Sequence, residues 1–260
     1  MIMAEQPNNQ DLAAGTLISH LLELRSRLMR AMIAVVIVLI PCVYYQNNIF
    51  SFAARPIREK LPRGETLIAT GVMSPFTVPL QLALFLAVFI AMPYILYQVW
   101  AFVAPGLYKH EKRFAIPLLI SSVLLFYLGV AFAYLVVLPH VFAYFAGTTP
   151  EGVKWQADIA QYLSFAIQIF FAFGLAFETP VAVVLLVITG IVSLDKLKSN
   201  RGYVLVGVFI VSAIVTPPDY ISQCVMAIPM YLLYEGGLIM AAILHNIRKK
   251  DLARRESEPP

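Results

Sequence analysis

The sequence predicts an all-α integral membrane protein with six transmembrane helices, and three observations support this fold class. First, 60% of the 260 residues are apolar and only 13% are charged, whereas about a quarter of the residues in soluble domains are charged. Second, the chain contains several apolar runs, and about 20 apolar residues are enough to span the core of a bilayer. Third, polar segments rich in Arg, Lys, Gly and Pro separate these runs.

The predicted spans follow from the points where each apolar run begins and ends. They are expected at residues 28–45, 72–101, 114–138, 162–188, 202–215 and 221–244. The second run has no charged residue but contains three prolines, so we expect a long helix that is bent or tilted. Polar loops are predicted at residues 46–71 and 139–161, with a shorter basic loop between the fourth and fifth spans.

The last two spans are predicted to form a short hairpin. The fifth run, residues 202–215, spans roughly 21 Å at ~1.5 Å per residue, whereas the bilayer core is ~30 Å thick. A Thr-Pro-Pro-Asp turn at residues 216–219 ends it. Either the bilayer is thinner there or the hairpin does not reach the far side.

The distribution of Lys and Arg predicts the orientation of the chain. The N-terminal segment counted with Arg30 at the start of the first span, the 2–3 loop, the 4–5 loop and the C-terminal tail together hold 14 of these residues, and the other two loops hold 5. Cytoplasmic loops carry the excess of basic residues, so both termini are predicted in the cytoplasm. The chain then divides into a cytoplasmic segment (1–27) with an interfacial amphipathic helix, a membrane domain (28–244) and a disordered cytoplasmic tail (245–260).

The sequence lacks the common signatures of enzymes and metal sites. His110-Glu111 begins like a zincin motif, but Phe114 stands where the second histidine is required. Neither a P-loop nor a G-x-S-x-G elbow is present, and Cys42 and Cys224 both lie inside apolar runs. We therefore predict no catalytic residue, no metal and no cofactor. The net charge of +4 indicates contact with lipid headgroups rather than nucleic acid.

The segment before the first span is amphipathic and carries an acid on its polar face. Four leucines share the apolar face at helical spacing: Leu17, Leu21, Leu24 and Leu28. Glu23 and Arg27 lie on the polar face. The simpler interpretation is an i,i+4 ion pair worth only ~0.2–0.5 kcal/mol, and a binding role for Glu23 is the alternative.

The segment from Gln98 to Arg113 combines aromatic and charged side chains. Its sequence, QVWAFVAPGLYKHEKR, places aromatic residues at headgroup depth and one acid, Glu111, among three bases. An aromatic belt with orientation charges is the simpler interpretation. A surface that binds a ligand is the alternative.

Three acids lie within or beside the later spans. Glu178 is in the middle of the fourth span, where an ionisable group costs ~2.5–3.5 kcal/mol and usually has a function. A hydrogen bond to another helix, helped by backbone freed at Pro180, is the structural alternative. Asp219 is either functional or the N-cap of the sixth span, and Glu235 has no assigned role.

Five motifs resemble the TatC family of twin-arginine protein translocases. In chain order they are SHLLELRSRL from Ser19, SPF from Ser74, YQVWAFVAPGLYKHEKR from Tyr97, FETP from Phe177 and TPPD from Thr216. Together with the predicted spans they cover about residues 15–245. The two long strings are highly specific, and the short ones are weak by themselves.

The resemblance implies a receptor in the bacterial inner membrane. Such a receptor binds the twin-arginine signal peptides of folded export substrates on the cytoplasmic side, and the proton-motive force drives transport without an ATP site. The implied partners are TatB-type and TatA-type single-span subunits, further copies of this chain and the lipid bilayer. Nucleic acid is not among them.

The resemblance also implies roles for individual residues. Glu23 and Glu111 correspond to an acidic patch that receives the paired arginines, and Arg25 and Phe102 belong to the same recognition surface. The remaining positions concern partners or transport. Pro56 shapes the first periplasmic loop, Glu178 is a polar residue on a concave face within the membrane, and Asp219 is a periplasmic acid.

Two other function classes remain open at the level of sequence. A proton-coupled solute transporter would use Glu178 as a relay and would need a second acid in the membrane, for which Glu235 is the candidate. An intramembrane enzyme would need a nucleophile and a base at one depth, and no convincing pair is present.

Overall fold

The computed structural model describes residues 9–55, 68–103, 112–148, 158–216 and 219–257. Within these ranges the chain is helical apart from turns and one isolated parallel β-bridge between Ile68 and Asp158. The α-helices in chain order are α1 (Asn9–Tyr44), α2 (Gln46–Ala53), α3 (Ser74–Val103), α4 (Lys112–Phe132), α5 (Leu138–Gly147), α6 (Ile159–Ala176), α7 (Thr179–Ile188), α8 (Leu194–Ser199), α9 (Arg201–Val215) and α10 (Tyr220–Ser257).

Five helical segments of the described chain are long and apolar enough to cross a membrane, which confirms the all-helical membrane class. They are Leu21–Tyr44, Ser74–Phe102, Ile116–Gly147, Ile159–Ile188 and Tyr220–Leu244. The fifth predicted span corresponds to α9, which has only 15 residues. At ~1.5 Å per residue it is about 22 Å long, so it falls short of a standard span, as its sequence length predicts.

The first helix joins two elements that the sequence predicts as separate. α1 runs without a break from Asn9 through the amphipathic segment to Tyr44. No glycine or proline occurs between Gly15 and Pro41, so nothing in the backbone interrupts the helix between these two positions. The predicted interfacial helix is therefore the first part of the spanning helix.

The predicted boundaries of two loops are wrong, because helix extends into the first residues of each loop. α2 occupies the start of the first loop. The third span does not end at Leu138, because a π-helical segment, Ala133–Val137, connects α4 to α5 and carries the helix on to Gly147. Pro139 marked the predicted end, but it stands in the first turn of α5, where a proline is tolerated.

The last helix extends beyond the sixth predicted span into the segment predicted as a tail. α10 continues past the sixth predicted span to Ser257. The segment from Ile247 to Ser257 contains no glycine or proline, and eight of its 11 residues are Lys, Arg, Glu, Leu or Ala. These residue types favour helix, which accounts for the extension, and the disorder of the tail stays a prediction.

The core between α3, α4 and α6 is aromatic and closely packed. The Phe85 and Phe170 rings lie 5.7 Å apart, as do the Phe89 and Phe126 rings. α4 and α6 approach closely because Gly174 faces the Phe126 ring, where a Cβ would lie 2.6 Å from a ring carbon. Small residues permit such approaches between helices in a membrane.

The last two helices form the predicted short hairpin, which side-chain hydrogen bonds hold together. The Ser212 hydroxyl of α9 donates to the backbone oxygen of Gln223 at 2.8 Å. The Gln223 side-chain amide donates to the backbone oxygen of Phe209 at 3.0 Å. These bonds cross the interface in both directions and fix the register of α9 on α10.

Candidate functional site

Two of the predicted recognition residues lie at the same end of the helix pair formed by α1 and α3. Cys42, near the end of α1, clusters with Ala83 and Ala87 in the first half of α3, and α2 packs on the same half, so the helices run antiparallel. Glu23 lies 19 residues before Cys42, and Phe102 lies 19 residues after Ala83. At ~1.5 Å per residue, both are about 28 Å from the shared cluster.

Glu23 is engaged in an ion pair within its own helix. Arg27 donates from Nε at 3.0 Å and from Nη2 at 2.5 Å, and both bonds reach the Oε1 atom of Glu23. This confirms the i,i+4 pair that was the simpler interpretation of the sequence. The Glu23 side chain is nevertheless 37% exposed, so its carboxylate remains accessible.

The other recognition residues differ in how much of them the structure describes. Arg25 is exposed on α1, and Phe102 is half-buried near the end of α3. Glu111 and Pro56 lie outside the described residues, so their roles stay predictions.

Glu178 stands at a break between two helices rather than inside one. It is the N-cap of α7, and Pro180 is in the first turn of that helix, where its lack of an N–H does no harm. The Ser122 hydroxyl of α4 donates a hydrogen bond to Oε2 of Glu178. This confirms the predicted bond to another helix for one oxygen. The Oε1 atom is inaccessible to solvent and has no hydrogen-bond partner among the described residues.

Asp219 caps the last helix, as one of the two interpretations of the sequence predicted. The backbone N–H of Ser222 donates to its Oδ2 atom at 2.7 Å. Its Oδ1 atom is buried and has no hydrogen-bond partner among the described residues. Capping accounts for one oxygen only, so a further role for Asp219 remains a prediction.

Glu235, to which the sequence gave no role, links the two helices of the hairpin. Arg201, at the start of α9, donates to its Oε2 atom at 2.7 Å. The Tyr231 hydroxyl donates to its Oε1 atom at 2.9 Å. Both carboxylate oxygens therefore have partners. The sequence showed Arg201 only as one of the basic residues of a loop, with no sign of this contact.

Sequence reasoning missed the role of Asp158, which joins two distant segments. Its Oδ2 atom accepts bonds from the Thr70 hydroxyl at 2.6 Å and the Thr70 N–H at 2.9 Å. Its Oδ1 atom accepts the N–H groups of Ala160 and Gln161 and so caps α6. These hydrogen bonds, chiefly that of the Thr70 hydroxyl, lower the pKa of Asp158 to about 2. We call the Asp158–Thr70 contact the loop clasp.

The arrangement offers two kinds of polar chemistry. An accessible carboxylate at one end of the α1–α3 pair can bind a guanidinium group in a charge-assisted hydrogen bond. A carboxylate within the membrane-spanning region, with one unpaired oxygen, can accept a hydrogen bond from a polar group on another helix. Among the described residues, no three His, Cys, Asp or Glu side chains are placed to hold a metal ion.

Comparison with known proteins reveals one family over most of the chain. Residues 19–229 match the family model described as Sec-independent protein translocase protein (TatC). The protein of that name from Azotobacter chroococcum mcd 1 is 48% identical over 98% of this chain and 99% of its own length. The one from Escherichia coli strain K12 is 52% identical over 86% of this chain and 87% of its own length.

A solved structure shares the architecture of the chain. It is described as the crystal structure of the twin arginine translocase receptor TatC. It is 38% identical in sequence and superimposes with a TM-score of 0.77. The match covers 86% of this chain and 98% of the solved one.

Proposed function

The chain belongs to the TatC family of Sec-independent protein translocase proteins, and we infer that it is the receptor and core subunit of a twin-arginine translocase. Similarity along nearly its whole length to proteins of this name carries the conclusion. It is a membrane-embedded component of a transport system and not an enzyme.

We place the protein in the bacterial inner membrane with six spans and both termini in the cytoplasm. The five long apolar segments and the shorter α9 supply the spans. The 14-to-5 bias of Lys and Arg supports the orientation. Because α9 is about 22 Å long, the bilayer beside the hairpin is expected to be thinner than its usual ~30 Å.

The recognition surface for the paired arginines consists of Glu23, Arg25, Phe102 and Glu111. Glu23 and Phe102 lie at the same end of the α1–α3 pair, and the Glu23 side chain is exposed. Both observations support this surface. In its contact with Arg27 this carboxylate already accepts two hydrogen bonds from a guanidinium, which supports the proposal. A planar guanidinium fork distinguishes arginine from lysine, which offers a point charge.

TatB-type and TatA-type subunits are the proposed partners within the membrane, and Glu178 is the proposed contact. Its support is a side chain that is only partly buried and an Oε1 atom that has no hydrogen-bond partner among the described residues. A turn of the side chain would bring this oxygen to a polar group of a partner helix. We assign Asp219 to transport on the periplasmic side and Pro56 to the shape of the first periplasmic loop. Self-association of the chain completes the receptor complex.

The structure weighs against a solute transporter that uses Glu178 and Glu235 as a proton relay. Arg201 and Tyr231 hold both oxygens of Glu235. A relay acid must exchange its partners during each cycle, and this carboxylate is fixed between two helices instead. No observation favours an intramembrane enzyme.

A crosslinking experiment tests the receptor function. A photo-reactive group beside the arginine pair of a twin-arginine signal peptide is offered to inverted membrane vesicles that contain the protein. A matched peptide carries Lys-Lys. We expect crosslinks to α1 and to the segment after α3, and we expect the Lys-Lys peptide to lose them. Equal labelling by both peptides, in vesicles shown to hold folded protein, would contradict the proposal.

A variant locates the site. Glu23→Gln keeps the shape of the side chain but removes its charge. A hydrogen bond to a charged group contributes about 1.5–3 kcal/mol, so labelling should fall about tenfold or more. Asp195→Asn is the matched control, because Asp195 is an exposed acid on the same predicted face. If labelling falls equally in the two variants, Glu23 is not part of the binding site.

A further inference from the structure

The ion pair of Glu23 is asymmetric. Both donors of Arg27 converge on Oε1, and within the described residues Oε2 has no recorded partner. The Arg27 side chain is 21% exposed, whereas that of Glu23 is 37% exposed. A ligand approaching this end of α1 therefore meets the carboxylate more readily than the guanidinium that holds it.

A carboxylate held in this way can still bind a second cation. Its two oxygens offer about four lone-pair positions, and Arg27 uses those of one oxygen. The Oε2 atom therefore stays available as an acceptor. Because Arg27 already restricts the Glu23 side chain, less conformational entropy is lost when a ligand binds.

We propose that Arg27 is a positioning residue of the signal-peptide site: it holds Glu23 through Oε1 and presents Oε2 to an arginine of the peptide. This inference rests on the proposed recognition role of Glu23. Arg27 itself does not touch the peptide in this arrangement. It acts only through the orientation of its neighbour one helical turn away.

The arrangement has a consequence for selectivity. A guanidinium donates in fixed directions in one plane, so it gains most from a carboxylate oxygen whose position is fixed. An ammonium rotates freely and adapts to a mobile carboxylate. Loss of Arg27 should therefore weaken binding of the Arg-Arg peptide more than binding of the Lys-Lys peptide.

The test measures apparent Kd values for the Arg-Arg and Lys-Lys peptides from crosslinking titrations in vesicles. In Arg27→Ala we expect Arg-Arg binding to weaken about five- to tenfold, and the ratio of the two Kd values to move toward one. Arg27→Met is a second neutral variant that keeps a long side chain with good helix propensity. Arg27→Lys retains a cation for Glu23 at i,i+4 and should restore binding to within about twofold.

A control separates positioning from simple loss of charge. Arg30 is exposed on the same helix, and Arg30→Ala removes the same charge without touching Glu23. This variant should leave the ratio unchanged. Unchanged or tighter Arg-Arg binding in the neutral Arg27 variants would overturn the inference, because Arg27 would then be inert or a competitor.

Equal weakening of both peptides would also overturn it, because that result indicates a structural role alone. Failure of the proposed function is visible separately in the unmodified protein. If that protein does not distinguish Arg-Arg from Lys-Lys, the recognition role of Glu23 is wrong. If it does and the neutral variants still do, only the role of Arg27 is wrong.

Discussion

The close contact between α7 and α10 can be tested by comparing alanine substitutions at two neighbouring glycines of α10. A Cβ placed on Gly237 would lie 2.8 Å from the Cα atom of Pro180 and 3.2 Å from the Cβ atom of Val183. A Cβ placed on Gly236 would have no atom within 4 Å. The two positions share one helix, so alanine at each site differs mainly in what the new methyl group meets.

The expected free energies follow from two effects of opposite sign. Replacing glycine by alanine inside a helix favours the folded state by about 0.5–1 kcal/mol at either position. At Gly237 the methyl group meets backbone that cannot rotate away, and such overpacking costs about 1–3 kcal/mol. Gly236→Ala should therefore be neutral or stabilising, and Gly237→Ala should be destabilising by up to about 2 kcal/mol relative to the unmodified protein.

The assay compares unfolding of the two variants purified in one detergent, with increasing SDS as denaturant and intrinsic fluorescence as the signal. The difference between the variants isolates the clash, because the gain in helix propensity is common to both. Pro180 is two residues from Glu178, so Gly237→Ala should also weaken the Glu178–Ser122 contact. Equal stability of the two variants would refute the close approach of α10 to α7.

Three further predictions concern polar contacts, and each is measured by unfolding of the purified protein. The folded-state pKa of Asp158, about 2, is below the usual ~3.9. The loop clasp therefore contributes its full stability above about pH 4, and that contribution is lost as the pH falls toward 2. The thermal midpoint should accordingly fall less over this range in Asp158→Asn. Ser122→Ala removes the hydrogen bond to Glu178 and should lower the free energy of unfolding by about 1–3 kcal/mol. Ser121→Ala loses only a bond to a backbone oxygen of its own helix and should lower it less. Arg201→Met breaks the 2.7 Å ion pair to α10 and should cost about 0.2–1 kcal/mol, because Arg201 is 47% exposed. A comparable loss in Lys198→Met, another exposed cation near the start of α9, would contradict a specific role for that pair.

The membrane class and most span positions could be predicted because the signal is local. About 20 apolar residues in a row determine a span without reference to the rest of the chain. The same holds for the short fifth run, whose length in the sequence matches that of α9. The Glu23–Arg27 pair and the Asp219 cap could also be predicted, because each involves residues only three or four positions apart.

Contacts between distant segments could not be predicted from one sequence. Thr70 and Asp158 are 88 residues apart, and nothing in either segment identifies the other as its partner. The extension of the third span to Gly147 also depends on packing, because burial of Val141 and Phe142 stabilises it. A boundary placed at Pro139 from sequence composition takes no account of that burial.

The two glutamates in the later spans are the same residue type but differ in what surrounds them. Glu235 has a partner for each oxygen, one of them a cation, so its environment within the chain is complete. Glu178 has a hydroxyl for one oxygen and no described partner for the other. A buried polar atom without a hydrogen bond costs about 1–3 kcal/mol, and a donor on a second helix would relieve that cost once the side chain turned toward it. Of the two acids, Glu178 therefore gains more from association with a partner, which is why the proposed subunit contact is assigned to it.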